Sequence, residues 1–279
     1  MRKTPVNVGN KLSTERAAGA ALPGFFLNLT KKEVRIMKVP FHFGRRALLR
    51  GIVGLLALVC FPGFAIEAWA ANIPFSKAKI IFEFNSSGPD LGIQVTLDGE
   101  PWNEIWIKDP KGRTILEVEG SGSLKNFGLT ELFAESNEPN FADMSKEAIL
   151  ARFPAGVYRF FGTTVEGDRL VGTATLTHNI PDGPEIVSPL EGDVVDPNNT
   201  VISWNAVTTP LGINIVGYQV IVERADALRT FDIKLPGTAT SVTVPPEFFE
   251  PGTQYKFEVL AIEAGGNQTI TEGGPFETP

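Results

Sequence analysis

Two antiparallel β-sandwiches in tandem, the first interrupted by a short helical insertion, are the all-β architecture this chain predicts, and three observations carry it. Apolar and polar residues alternate in short runs from Lys77 to the C-terminus, with turn chemistry about every ten residues, as half-buried strands require. Pro181-Asp182-Gly183-Pro184 interrupts the runs as a turn-rich linker. Near the end, Pro251-Gly252 forces a corner, after which Tyr255, Phe257, Val259 and Ala261 alternate with Lys256, Glu258, Leu260 and Ile262. A Tyr directly after such a corner buries its ring and returns its hydroxyl to the backbone of the preceding loop.

In the first domain, residues 75–180, Ile80, Phe82 and Phe84 mark a strand that ends in the loop Asn85-Ser86-Ser87-Gly88-Pro89-Asp90. Leu91, Ile93, Val95 and Leu97 mark a second, which Asp98-Gly99 is expected to close as a hairpin turn. Trp102 to Lys108 is a third. Asp109-Pro110-Lys111-Gly112 suits a type I turn, and Thr114 to Glu119 is a fourth strand. From Ser121 to Phe153 the apolar residues follow no clear period, so only Ser145 to Arg152, built of good helix formers and stopped by Pro154, reads as a helix. Strands resume over Val157–Val165 and Arg169–His178, joined by Glu166-Gly167-Asp168. Residues 185–279 then divide into seven short strands, the number and spacing of an antiparallel sandwich.

Residues 1–70 read as a leader. Arg45-Arg46 precedes an apolar run from Gly51 to Ile66, and Ala68-Trp69-Ala70 offers small residues where a signal peptidase reads them. Translation is expected to start at Met37, just ahead of the basic pair. Arg45-Arg46 with Leu48 and Leu49 resembles a twin-arginine signal with Gly44 in place of the usual Ser or Thr, so this route and ordinary secretion both stay open. Val59 ahead of Cys60 departs from a lipoprotein box, and the apolar run is short against the roughly 20 residues of a spanning helix. A periplasmic or extracellular protein without a stable membrane anchor after cleavage is therefore expected.

The leader holds 11 of the 25 Lys and Arg but only 3 of the 32 Asp and Glu, leaving 14 against 29, a net −15, for residues 71–279. So acidic a body disfavours nucleic acid and anionic membranes. Cys60 is the single cysteine, so the expected mature chain has no disulfide, thiol nucleophile or Cys-ligated metal.

Trp204, then Tyr218-x-Val220, then Phe249-x-Pro251-Gly252-Thr253-x-Tyr255 together resemble the core Trp, third-strand Tyr-x-Val and corner of the fibronectin type III family, with Phe249 where a Leu is usual. The resemblance covers residues 185–279 and implies an Ig-like sandwich. The whole arrangement also resembles uncharacterised exported bacterial proteins, which implies no activity.

No residue set reads as catalytic. His178 is the one histidine beyond the leader and stands at a strand end, and no Ser lies in a Gly-x-Ser-x-Gly elbow. Glu83, Asn85, Asp90 and Asp98 gather in sequence around the first loop and form a candidate Ca²⁺ set, weighed against a solvated acidic loop. No other cofactor is expected. Trp102 and Trp106 share a parity, so they are candidates for a sugar-stacking platform, against plain packing over the helix. Arg224-Ala225-Asp226 reads as a polar turn. The expected function is thus an exported, non-enzymatic binding or structural protein, its partner an extracytoplasmic protein or glycan. The alternatives are a carbohydrate-binding module and a hydrolase using clustered carboxylates of the first domain.

Overall fold

Strand order follows the alternation, and the departures from it lie in β3, which changes partners midway, and in the connection from Ser121 to Phe153. The computed structural model describes residues 71–224 and 228–279; the leader with Met37 and Cys60, and Ala225-Asp226, lie outside the described residues. In chain order the elements are β1 (Asn72–Pro74), β2 (Lys77–Asn85), β3 (Asp90–Lys108), β4 (Thr114–Glu119), α1 (Gly122–Phe127), β5 (Leu129–Glu135), α2 (Lys146–Arg152), β6 (Gly156–Thr164) and β7 (Arg169–Leu176). The second half holds β8 (Glu185–Ser188), β9 (Val201–Asn205), β10 (Ile215–Arg224), β11 (Thr230–Pro236), β12 (Ser241–Thr243), β13 (Gln254–Glu263) and β14 (Gln268–Glu277). No helix among the described residues is long and apolar enough to cross a membrane.

Asp98-Gly99 does not close a hairpin. The chain runs through it as one 19-residue strand, β3, whose first half pairs with β2 and β5 and whose second half pairs with β4 and β6. Gly99 serves a close approach instead of a turn: a Cβ there would lie 3.0 Å from the Phe75 ring. One strand thereby belongs to both layers of the first sandwich, β5–β3–β2 and β4–β3–β6–β7–β1. Between them lie Ile80, Phe82, Ile93, Trp102, Ile105, Ile107 and Phe160, all buried. Burial contributes roughly 1.5–3 kcal/mol for each large apolar side chain.

The connection from Ser121 to Phe153 holds more structure than its composition announces. Helix α2 is as expected: Ser145 Oγ accepts from the Ala148 N–H at 3.3 Å, Glu147 and Arg152 suit the two ends of its dipole, and Ile149 enters the core. Helix α1 and strand β5 are not expected from the sequence. Strand β5 places Leu132 and Ala134 inward but also Phe133 outward, 62% exposed, so apolar residues fall on both faces and hide the period.

The second sandwich packs Ile202, Trp204, Tyr218, Val220, Tyr255, Phe257, Val259 and Phe276 into a separate core. The Tyr255 hydroxyl accepts from the Glu250 N–H at 2.8 Å while its ring stacks on Phe276, so the corner forms as the sequence predicts. Tyr218 acts likewise, its hydroxyl accepting from the Val207 N–H at 2.8 Å.

The two sandwiches share a sheet. Strand β14 pairs in parallel with β2, Gln268 to Ile270 opposite Glu83 to Asn85, joining both into one 11-stranded sheet. Each strand thus covers an edge the other would leave open. The β13–β14 hairpin tip, turned at Gly266 with φ +98°, carries Asn267 into the junction. There Asn267 is buried; its Oδ1 accepts from the Phe82 N–H at 2.9 Å, and its Nδ2 donates to Thr177 O (3.1 Å), Thr177 Oγ1 (3.0 Å) and Asn179 O (2.9 Å). Thr269 Oγ1 donates to Pro181 O at 2.6 Å, and a Cβ on Gly183 would strike the hydroxyls of Ser86 and Thr271. The linker is therefore packed and hydrogen-bonded on both sides.

Tyr255→Phe removes the acceptor for the half-buried Glu250 N–H while leaving the ring in place. We expect a loss of about 1–2 kcal/mol in urea unfolding; an unchanged midpoint would show that the corner bond contributes nothing net.

Candidate functional site

Glu83, Asn85 and Asp90 do sit at one end of the β2–β3 hairpin, where Asn85 pairs with Asp90 and Glu83 with Gly92. Asp98 does not join them. It pairs with Lys77 at the far end, eight residues or about 27 Å along β3 at 3.4 Å per residue. The grouping fails because the strand continues where a turn was expected. Asn85 is also engaged locally: its Oδ1 accepts from the Ser87 and Gly88 N–H groups, and its Nδ2 donates to Glu272.

Glu83 instead meets two carboxylates that the sequence reading did not select. One oxygen each of Glu83, Glu135 on β5 and Glu138 just beyond lie within 4.8 Å of one another. Gly92, between β2 and β5, makes this possible, since a Cβ there would strike Glu138. Glu83 is buried and bonded by the Gln268 side-chain amide across the domain junction. Glu138 is half-buried, with its Oε1 wholly covered and without a hydrogen-bond partner.

The electrostatics follow from burial and like charge. Desolvation, and then the carboxylates of Glu135, Glu83 and Asp90, push Glu138 up to about 7. Burial raises Glu83 as well, opposed by its bond to Gln268, and burial followed by Glu272 raises Asp90. Chemically, the group holds a proton near neutrality, and its three oxygens lie within the span of a single divalent cation. Glu135 was hidden because β5 was hidden, and Glu138 follows that strand with no pattern of its own.

A cavity of about 240 Å³ adjoins this corner, lined by Leu91, Ser136, Met144, Ile149 and Phe153 among others. The segment carrying Glu138 is held down on either side of it. Ser136 Oγ accepts from the Ile93 N–H at 2.9 Å, the Phe141 N–H donates to Pro89 O at 2.9 Å, and the Phe141 ring stacks on Phe84.

The paired Trp face does not form. Between Trp102 and Glu104 the register of β3 against β6 slips, and the slip resets the parity. Trp102 turns inward with Ile105 and Ile107 and is fully buried, whereas Trp106 points to the opposite face and is only partly buried. Trp106 stacks on Phe161 at 5.7 Å between centroids, and the Arg169 guanidinium lies 5.1 Å from the centre of the Phe161 ring. The outward aromatic set is thus Trp106 and Phe161, from neighbouring strands.

His178 is oriented by structure. Its Nε2 bonds to Phe153 O at 2.9 Å and its ring meets Phe82 edge-on. The imidazole thus ties the segment after β7 to the end of α2.

Residues 186–277 match the fibronectin type III domain family, and the C-terminal sandwich is a domain of that type. Similar solved structures include the FN1–FN3 domains of chicken CNTN1, 14% identical with TM-score 0.32, covering 73% of this chain and 67% of that one. A two-domain fibronectin type III segment from chicken tenascin is 11% identical with TM-score 0.27, covering 71% and 97%. The fn3 domain of human collagen alpha-1(XX) chain is 24% identical with TM-score 0.26, covering 37% and 94%. At a coarse level the domain indicates a binding or structural module.

Because the folded Glu138 carboxyl titrates near 7 and an unfolded one near 4.5, its contribution is complete below 4.5 and is lost as pH rises through about 7. Glu138→Gln should therefore flatten the stability profile between pH 4.5 and 7. At pH 8 it should raise stability by about 1 kcal/mol, a figure reduced for the screening of a partly exposed site. Denaturant melts across pH read this directly, and parallel profiles for the two proteins would contradict it.

Proposed function

We propose that this is an exported, non-enzymatic binding protein of the periplasm or cell exterior, in which the fibronectin type III domain acts as a rigid mount for the first sandwich. The observation that carries the reading is the junction: β2–β14 pairing and the buried Asn267 fix the two sandwiches as one body. Domains in one chain commonly meet through modest polar contacts and move relative to each other, whereas a shared sheet removes that freedom. The Glu263–Asn267 hairpin tip is spent on this contact. A ligand must accordingly use another surface, and the first sandwich offers Trp106, Phe161 and Arg169 on its outward face.

The partner is an extracytoplasmic protein or glycan. The acidic balance of residues 71–279 supports this over nucleic acid, and the apolar run closed by Ala68-Trp69-Ala70 supports export by the general or the twin-arginine route. Glycan binding is the second reading. It rests on Trp106 and Phe161, since aromatic faces stack on sugar rings; Trp102, buried in the core, has no part in it.

Fractionation of the native host followed by a glycan array and an envelope pull-down with the mature chain tests both readings. We expect the chain outside the cytoplasm and a saturable ligand whose affinity falls at least tenfold in Trp106→Ala with an unchanged melting temperature. Residence in the cytoplasm would contradict export, and turnover of a substrate by the purified chain would contradict a non-enzymatic role.

A further inference from the structure

Ala71 makes a contact that gains strength if the chain begins there. The Ala71 backbone nitrogen donates to Asp168 Oδ1 at 2.8 Å, and the Ala71 carbonyl accepts from the Arg169 N–H at 2.9 Å. Beyond it β1 pairs in parallel with β7, Asn72 to Pro74 opposite Arg169 to Val171, and the Phe75 N–H donates to Val171 O at 3.0 Å. Ile73 and Phe75 pack on the first core, so this short strand closes the edge of one layer.

Asp168 is built to wait at that point. It ends the β6–β7 turn, where Gly167 has φ +93°; its own N–H donates to Thr164 Oγ1 at 3.0 Å, and its carbonyl accepts from the Thr164 N–H at 2.9 Å. With its backbone engaged on both sides, the carboxylate is aimed at Ala71 from a fixed base. Immediately upstream, Ala68-Trp69-Ala70 presents small residues three and one positions before the Ala70–Ala71 bond, the pattern a signal peptidase requires.

We infer that the chain is cut between Ala70 and Ala71 and that Asp168 is the receptor for the α-ammonium group so created. The inference rests on the proposed export. In the cut, water gives its hydroxyl to the Ala70 carbonyl carbon and its proton to the Ala71 nitrogen, and the free amine, which titrates near 7.7–8.0 in unstructured chains, takes up a second proton from solvent. The existing N–H to carboxylate bond then becomes charge-assisted. Every sheet hydrogen bond of β1 begins at the Ala71 carbonyl or later, so the cut removes none of them. A chain terminus that would otherwise fray is held instead by an ion pair.

The test starts from full-length chain exported by a host with both export routes, with intact mass and N-terminal sequencing of the recovered protein. A first residue of Ala71 is expected. A chain cut at any other bond overturns this inference alone, whereas a chain that stays uncut in the cytoplasm overturns it together with the reading on export. In the second arm Asp168→Asn, which keeps an acceptor of the same shape, is compared with wild type in the mature chain and in mature chain acetylated at its α-amine. The substitution should lower the folding equilibrium constant about two- to fivefold more in the free-amine form, the size of an exposed ion pair. Equal losses in the two forms would overturn the capture by Asp168.

Discussion

Asn267 is the residue on which the arrangement of this molecule depends. It stands at the tip of a hairpin of the second sandwich, yet its side-chain bonds go to the first sandwich and the segment that follows β7: Phe82, Thr177 and Asn179. A buried amide so fully bonded has one geometry that satisfies it, and displacing it strands a backbone N–H and two carbonyl groups in the interior, at about 1–3 kcal/mol for each buried group left unpaired. The neighbouring pairing of β14 with β2 adds direction, because a strand ladder specifies register as well as proximity. Two separate apolar cores are thereby held by a polar seam.

The seam also explains where the acidic corner lies. Glu83 is outward on β2, the strand that crosses from the first core to the second domain, and Gln268 from β14 covers it. Burial at the junction, together with the bare Gly92 that admits Glu138, brings like charges close enough to raise their proton affinity. A fold that spanned the same residues with a flexible linker would leave Glu83 solvated. The unusual protonation is therefore a consequence of how the domains are joined.

Much of the second sandwich was legible because its signals are local. Trp204, Tyr218 and the Pro251-Gly252 corner before Tyr255 each fix a piece of backbone, and they fall where their spacing puts them. The first sandwich was less legible for a physical reason. Strand β3 changes partners midway, so Asp98-Gly99 carries turn chemistry without turning, and the slip after Trp102 reverses a parity that sequence counting takes as constant. Strand β5 was hidden by Phe133 on its outer face. The candidate Ca²⁺ set failed at Asp98 for the same cause, and the carboxylates that do converge stand at positions 83, 135 and 138, a proximity that only the folded chain reveals.

The central claim is that the two sandwiches act as one rigid body, and calorimetry of residues 71–279 tests it most directly. The account predicts one cooperative transition with equal calorimetric and van't Hoff enthalpies, since the shared sheet and buried Asn267 prevent one domain from melting alone. It also predicts that Asn267→Ala splits the transition or broadens it. Two independent transitions in the wild-type chain, left in place by the substitution, would contradict the account.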